Sequence, residues 1–332
     1  MIESVVLAGA RTPLGRPFGC TRALSAAQFG AVAVRAALER ARVRGDEVDQ
    51  VLLGNPAADA GDDRPARAAV AGAGIPAKVP LLGTGQLPLS GLNAIAVADR
   101  LIRSGTSDIV VAGGLESVSV SRRDPDERTA SRFRLPRRRP PERDRRTRDE
   151  IAAPAHERPA DTRLADLFRE ETAPLAPPCR TGRDAVGGDG AAAVVMMRRS
   201  LAEERGLDWL AEIVGHGAVS GRTDALHLRS SLAIREALVP LGLRVRDLDL
   251  IEVDESFAAV VVRAMSVPRT RRNRIDPHGG AVAPGHPAGT SGARVVLHLA
   301  HSLRRRGGGL GAAGVRGEAG LGEALLLRSS RR

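Results

Sequence analysis

Apolar and polar positions along the chain switch repeatedly between two periods. ESVVLAGA (3–10) predicts a strand. SAAQFGAVAVRAALERARV (25–43) repeats its apolar residues at three- and four-residue spacing and predicts an amphipathic helix. VDQVLLGNP (48–56) predicts a second strand, residues 89–103 a helix and DIVVAGG (108–114) a third strand. After about residue 185 the alternation resumes. GGDGAAAVVMM (187–197) predicts a strand, SSLAIREALVPLGL (230–243) a helix and LDLIEVDESFAAVVVRAM (248–265) a strand entering a helix. RVVLHLAHSLRRRG (294–307) predicts a helix and GEALLLR (322–328) a closing strand. Strands alternating with helices predict an α/β fold in which helices cover a sheet.

The segment from 119 to about 184 breaks this rhythm. RDPDERTASRFRLPRRRPPERDRRTRDE (123–150) is charged, proline-punctuated and nearly free of large apolar residues. Such a stretch buries too little surface to offset its ordering entropy and predicts an extended or mobile insertion. Two similar α/β halves separated by this insertion follow: residues 1–118 with 185–200, and residues 201–332.

Composition changes the picture in three places. The formal charge of +11 suggests a nucleic-acid partner, but residues 122–148 hold 12 arginines against 5 acidic residues. That net of +7 leaves only +4 for the rest of the chain. Aromatic content is 2% with no tyrosine, so base-stacking platforms are missing and nucleic acid is not the expected partner. The N-terminus lacks the basic start and apolar core of a signal peptide, and no apolar run approaches the roughly 18 residues of a membrane span. A cytoplasmic protein without a membrane partner is expected. Two cysteines, Cys20 and Cys179, argue against a structural disulfide or a Cys-based zinc site, and both are expected to be incidental thiols. His216, His227, His278, His298 and His301 show no metal-like spacing, so no metal is expected.

Four ordered segments carry a more specific message: GQLPLSGLNAIAVADRLIRSGTSDIVVAGGLES (85–117), GGDGAAAVVM (187–196), IEVDESFAAV (251–260) and HGGAVAPGHPAGTSGARVVLHLAHSLRRRGG (278–308). Together they resemble the signature segments of the thiolase family, the acetyl-CoA acetyltransferases and 3-ketoacyl-CoA thiolases. The resemblance implies a five-layered αβαβα fold of two similar halves, assembled as dimers or tetramers. It also implies acyl transfer through a cysteine at the N-terminus of a buried helix. A GHP histidine activates that cysteine, and a second cysteine shuttles the α-proton. One oxyanion hole uses the GHP histidine with an asparagine-bound water, and the other uses backbone N–H groups.

Carried over residue by residue, this chemistry is depleted. Pro88 stands at the nucleophile's position and supplies neither a thiolate nor an N–H. Arg316 stands at the second cysteine's position and stays protonated, so it accepts no α-proton. Glu318 stands at the oxyanion glycine, and Asp254 replaces the water-holding asparagine. His286, in GHP, is retained. Ser90 lies two residues past Pro88, where a helix points it in another direction. Arg316 could pair with Glu318 or with Asp254. The family's loop domain, which binds CoA, is shortened here. RPADTRLADLFREE (158–171) resembles its closing part, and the Arg-rich stretch is either a contact for CoA phosphates or a solvated loop.

Two functional expectations stay open. One is a thiolase-fold protein without thiolase activity that acts as a partner subunit, scaffold or acyl-CoA sensor, as a homodimer or beside an active thiolase-like protein. The other is an acyl-CoA enzyme of altered chemistry, decarboxylation or thioester hydrolysis, with His286 as base. No cofactor is expected beyond a CoA thioester ligand.

Overall fold

A computed structural model describes residues 2–15, 18–55, 62–85, 88–121, 162–175, 188–221, 228–254, 274–278, 288–317 and 320–330. The first half contains β1 (Ser4–Arg11), α1 (Ala26–Ala41), β2 (Gln50–Gly54), α2 (Arg64–Gly72), β3 (Leu81–Thr84), α3 (Ser90–Arg103), β4 (Ile109–Ser117) and a short α4 (Val118–Ser121). Next come α5 (Thr162–Glu171), β5 (Asp189–Arg198) and α6 (Arg199–Glu204). The second half contains β6 (Ala211–Val219), α7 (Arg229–Leu238), β7 (Leu250–Asp254), α8 (Ala288–Arg305), β8 (Gly309–Arg316) and β9 (Gly322–Ser329).

The strand order is β3-β2-β4-β5-β1-β6-β9-β8-β7. Outward from the centre, β1-β5-β4-β2 on one side mirrors β6-β9-β8-β7 on the other. The parallel pairs sit at equivalent places, β2 with β4 and β7 with β8. The halves join along a short antiparallel contact, Val5 opposite Glu212 and Val6 opposite Ala211.

Side chains on successive strand residues point to opposite faces, and here both faces are apolar. Val51, Leu53, Val111, Ala193 and Val195 pack outward with α1 and α2. Leu52, Val110, Ala112, Val194 and Met196 turn inward, into one cluster with α3, α8 and the inward residues Ala313, Val315, Leu325 and Leu327 of β8 and β9. On the far face Ile251, Val253, Ala312, Ala324 and Leu326 pack against Ile234 and Leu238 of α7. The result is five layers, αβαβα, with α3 and α8 sandwiched between the two half-sheets. The expected α/β fold is the observed one.

Local sequence explains the helix ends. Ser25 and Gln28 form a reciprocal capping box at the start of α1. Pro65 begins α2 in the first turn, where a missing N–H costs nothing. The central helices touch through backbone. A Cβ on Gly292 would collide with the Leu92 nitrogen, and one on Gly91 would stand 2.8 Å from the Ala293 nitrogen. Cys20 is disulfide-bonded, against the expectation of an incidental thiol. The other cysteine, Cys179, lies outside the described residues, as does the Arg-rich stretch 122–148. Among the described residues no helix is long and apolar enough to cross a membrane.

The crossing yields a prediction. Gly292→Ala should destabilise the fold by about 2–3 kcal/mol through overpacking. Gly83→Ala on β3, where a Cβ meets nothing within 4 Å, should change stability by less than ~0.5 kcal/mol. Urea denaturation checks both, and equal midpoints for the two variants would contradict the packing argument.

Candidate functional site

The parallel strands aim their carboxyl ends at one region, where ligands bind in open α/β sheets. Four chain segments meet there. Pro88 is buried in the turn that leads into α3. Leu89, the next residue, packs on the turn after β8, since a Cβ on Gly317 would stand 2.5 Å from Leu89 Cδ1. Gly54, ending β2, leaves space for Ser90, whose Cβ a side chain at residue 54 would strike. Gly114 of β4 does the same for the Gly289 carbonyl in the first turn of α8.

Three of the residues singled out from sequence fall at this convergence. Pro88 precedes α3, Asp254 ends β7, and Arg316 ends β8. Asp254 lies opposite Val315 in the β7–β8 ladder, one residue from Arg316. His286 and Glu318 lie outside the described residues; α8 begins at Ala288, two residues after His286. Ser90 is fully buried, and its Oγ has no hydrogen-bond partner among the described residues.

Asp254 has a counter-ion from α8. The buried Arg294 guanidinium, from α8, stands 3.4 Å from Asp254 Oδ1. α8 thus brings a buried cation to Asp254 from 40 residues away. Asn93, one turn into α3, donates through Nδ2 to Glu323 Oε1 at 3.1 Å. Glu323 is opposite Val315 in the β8–β9 ladder. Burial raises its carboxyl above the ordinary value, against the opposing effects of Asn93 and Arg100.

A second polar cluster runs beneath this region. Arg11 Nε donates to Glu171 Oε1 at 2.7 Å, and Glu171 Oε2 lies 2.9 Å from His298 Nδ1. Burial alone would push the Glu171 carboxyl up, but the charges of Arg11 and His298 outweigh it and hold the group well below the usual carboxylate range. His298 Nε2 lies 3.1 Å from His278 Nδ1 and 3.8 Å from Glu252 Oε1. Phe168 of α5 stacks on the His298 ring with centroids 5.7 Å apart. Burial pushes Glu252 well above its ordinary value, with repulsion from Asp276 adding to it. Asp276 is itself raised by burial, to about 6.

Glu252, His278 and His298 place ligand atoms within 4.8 Å of one another. The expectation of no metal was drawn from spacing along the chain, which does not register this grouping. Linear spacing missed it because Glu252 comes from β7, His298 from the middle of α8 and His278 from the segment between them.

Residues 4–141 match the sequence model described as thiolase, N-terminal domain, and residues 207–329 the one described as thiolase, C-terminal domain. A probable acetyl-CoA acetyltransferase of Mycolicibacterium smegmatis is 35% identical over 388 aligned residues, covering 98% of this chain and 100% of that protein. A protein of the same description from Mycobacterium tuberculosis is 36% identical, with 99% and 100% covered. The crystal structure of human mitochondrial 3-ketoacyl-CoA thiolase in complex with CoA superposes with a TM-score of 0.84 at 25% identity, covering 99% of this chain and 98% of that one. The chain belongs to the thiolase family. Its 332 residues against 388 aligned positions leave at least 56 positions, the difference, without a counterpart here.

Glu323 gives a pH prediction. A carboxyl raised in the fold contributes stability that is fully present below its unfolded value, about 4.3, and lost as pH rises through the folded value. Glu323→Gln should therefore gain stability relative to the unmodified protein as pH rises from about 4 toward neutrality. Thermal denaturation across that range checks it, and a constant difference between the two proteins would contradict the burial of an ionisable group there.

Proposed function

We propose that this thiolase-family chain does not form an acyl-cysteine and acts as a non-catalytic, acyl-CoA-binding partner subunit. The observation that carries the reading is the buried Pro88 at the entrance to α3. A proline there provides no nucleophile and no backbone donor. Removing one oxyanion donor costs about 2.7–4 kcal/mol of transition-state stabilisation, and removing a nucleophile costs on the order of a million-fold in rate.

Two further residues support the reading. Arg316 cannot take the α-proton that the family's second cysteine moves. Asp254 faces a buried guanidinium and has no amide N–H with which to hold a water toward a forming oxyanion. His286 would then act as a hydrogen-bonding group toward a bound thioester and not as an activator of sulfur.

The partner role rests on the sheet edge. Among the described residues β3 ends the strand order and pairs on one side only, with β2. Its Leu82 is 45% exposed. An unpaired strand edge with an apolar side chain favours addition of another strand, from a second copy or from an active thiolase-like protein. The missing positions are assigned in this proposal to the loop region between residues 119 and 184, so fewer contacts would hold the CoA tail.

Calorimetric titration with acetoacetyl-CoA beside a thiolysis assay tests the reading. The expected result is a binding heat with no thiolysis above the uncatalysed rate. Thiolysis above background would overturn the loss of catalysis. Absence of heat with both CoA and acetoacetyl-CoA would overturn ligand binding and leave a scaffold. Breakdown of malonyl-CoA that disappears in His286→Ala would replace the proposal with decarboxylation.

A further inference from the structure

We propose that Glu252, His278 and His298 form a binding site for a single first-row divalent cation, Zn2+ in the first instance. The cation ties β7 to α8 and to the segment around residue 276.

The geometry fits. Ligand atoms at 2.0–2.2 Å from a tetrahedral zinc are roughly 3.3 Å apart. His278 Nδ1 and His298 Nε2 are 3.1 Å apart, and His298 Nε2 and Glu252 Oε1 are 3.8 Å apart. Glu252 Oε1 is buried and has no hydrogen-bond partner among the described residues. Two imidazoles and one carboxylate are a donor set suited to zinc and neighbouring transition metals. Three protein ligands leave the fourth position to water.

The surroundings prepare His298 to be a ligand. Glu171 is held ionised by Arg11 and can only accept, so His298 Nδ1 must be the donor to it. In the neutral ring this puts the lone pair on Nε2, the atom that faces His278 and Glu252. A carboxylate that fixes the outer nitrogen of a metal-bound histidine orients the ring and raises its basicity. Phe168 closes one face of the same ring. His278 is only half-buried and gives the cation a way in.

Tag-free protein should be stripped with a chelator, reloaded with Zn2+, desalted and assayed by elemental mass spectrometry. About one Zn2+ per chain is expected, with a melting temperature above that of the stripped form. Co2+ in place of Zn2+ should show the ligand-field absorption of a four- or five-coordinate ion. Glu252→Gln and His278→Asn should each weaken Zn2+ binding by at least tenfold, and Glu171→Gln by roughly 10–100-fold through loss of His298 orientation. His278→Asn serves as the folded control, because its half-exposed position should leave the circular dichroism of the stripped form unchanged. Less than about a tenth of an equivalent bound by the unmodified protein would overturn the proposal. So would retention of full affinity in both ligand variants.

Discussion

The backbone-to-backbone crossing of α3 and α8 is the constraint on which the rest depends. With glycine at 91 and 292, the two helices approach until a single added carbon at either position would press on the other's main chain. That approach makes one layer of the two helices, and only one layer fits between the half-sheets. The inward-facing residues of both halves can then share a single apolar cluster. The same crossing sets the two helix N-termini beside the ends of β2, β4, β7 and β8. The site is a by-product of the packing.

Packing and chemistry ask different things of the residues at that place. The fold asks for small residues where chains cross and for a residue that starts a helix without needing its N–H. Pro88 lies in the turn two residues ahead of α3, where its missing N–H breaks no helical hydrogen bond, and in the proposed reading the frame persists while acyl transfer does not. Asp254 and Arg294 show the same separation. Together they form a buried ion pair that the sheet and helix hold, and in the proposed reading this position no longer serves acyl transfer.

The strands that sequence made legible are those with long apolar runs on both faces. β4 and β5 are fully or almost fully buried along their length, and GGDGAAAVVMM could only be a core strand. β6 escaped because AEIVGHGAV is broken by two glycines and a histidine and is only half-buried. β3 and α2 are short and were not distinguished from turns, and β8 was noticed only for the motif it carries. α5 was read as the end of a loop domain; its Glu171 instead anchors Arg11 and His298. That network was illegible because its partners are 160 and 127 residues apart. The ordered motifs made Pro88, Asp254 and Arg316 legible as positions to consider, and the topology sets them just before α3 and at the ends of β7 and β8. The Arg294 counter-ion, the Glu252–His278–His298 group and the disulfide at Cys20 were not legible, since each depends on which elements the topology brings face to face.

The most direct test of the central claim is intact-mass spectrometry of the protein after incubation with acetyl-CoA, with tryptic mapping of any adduct. The account predicts an unchanged mass, because the entrance to α3 holds a proline where acyl transfer needs a thiolate. An acetyl group covalently attached in the first turn of α3, formed at a rate faster than adventitious acylation of surface groups, would contradict it.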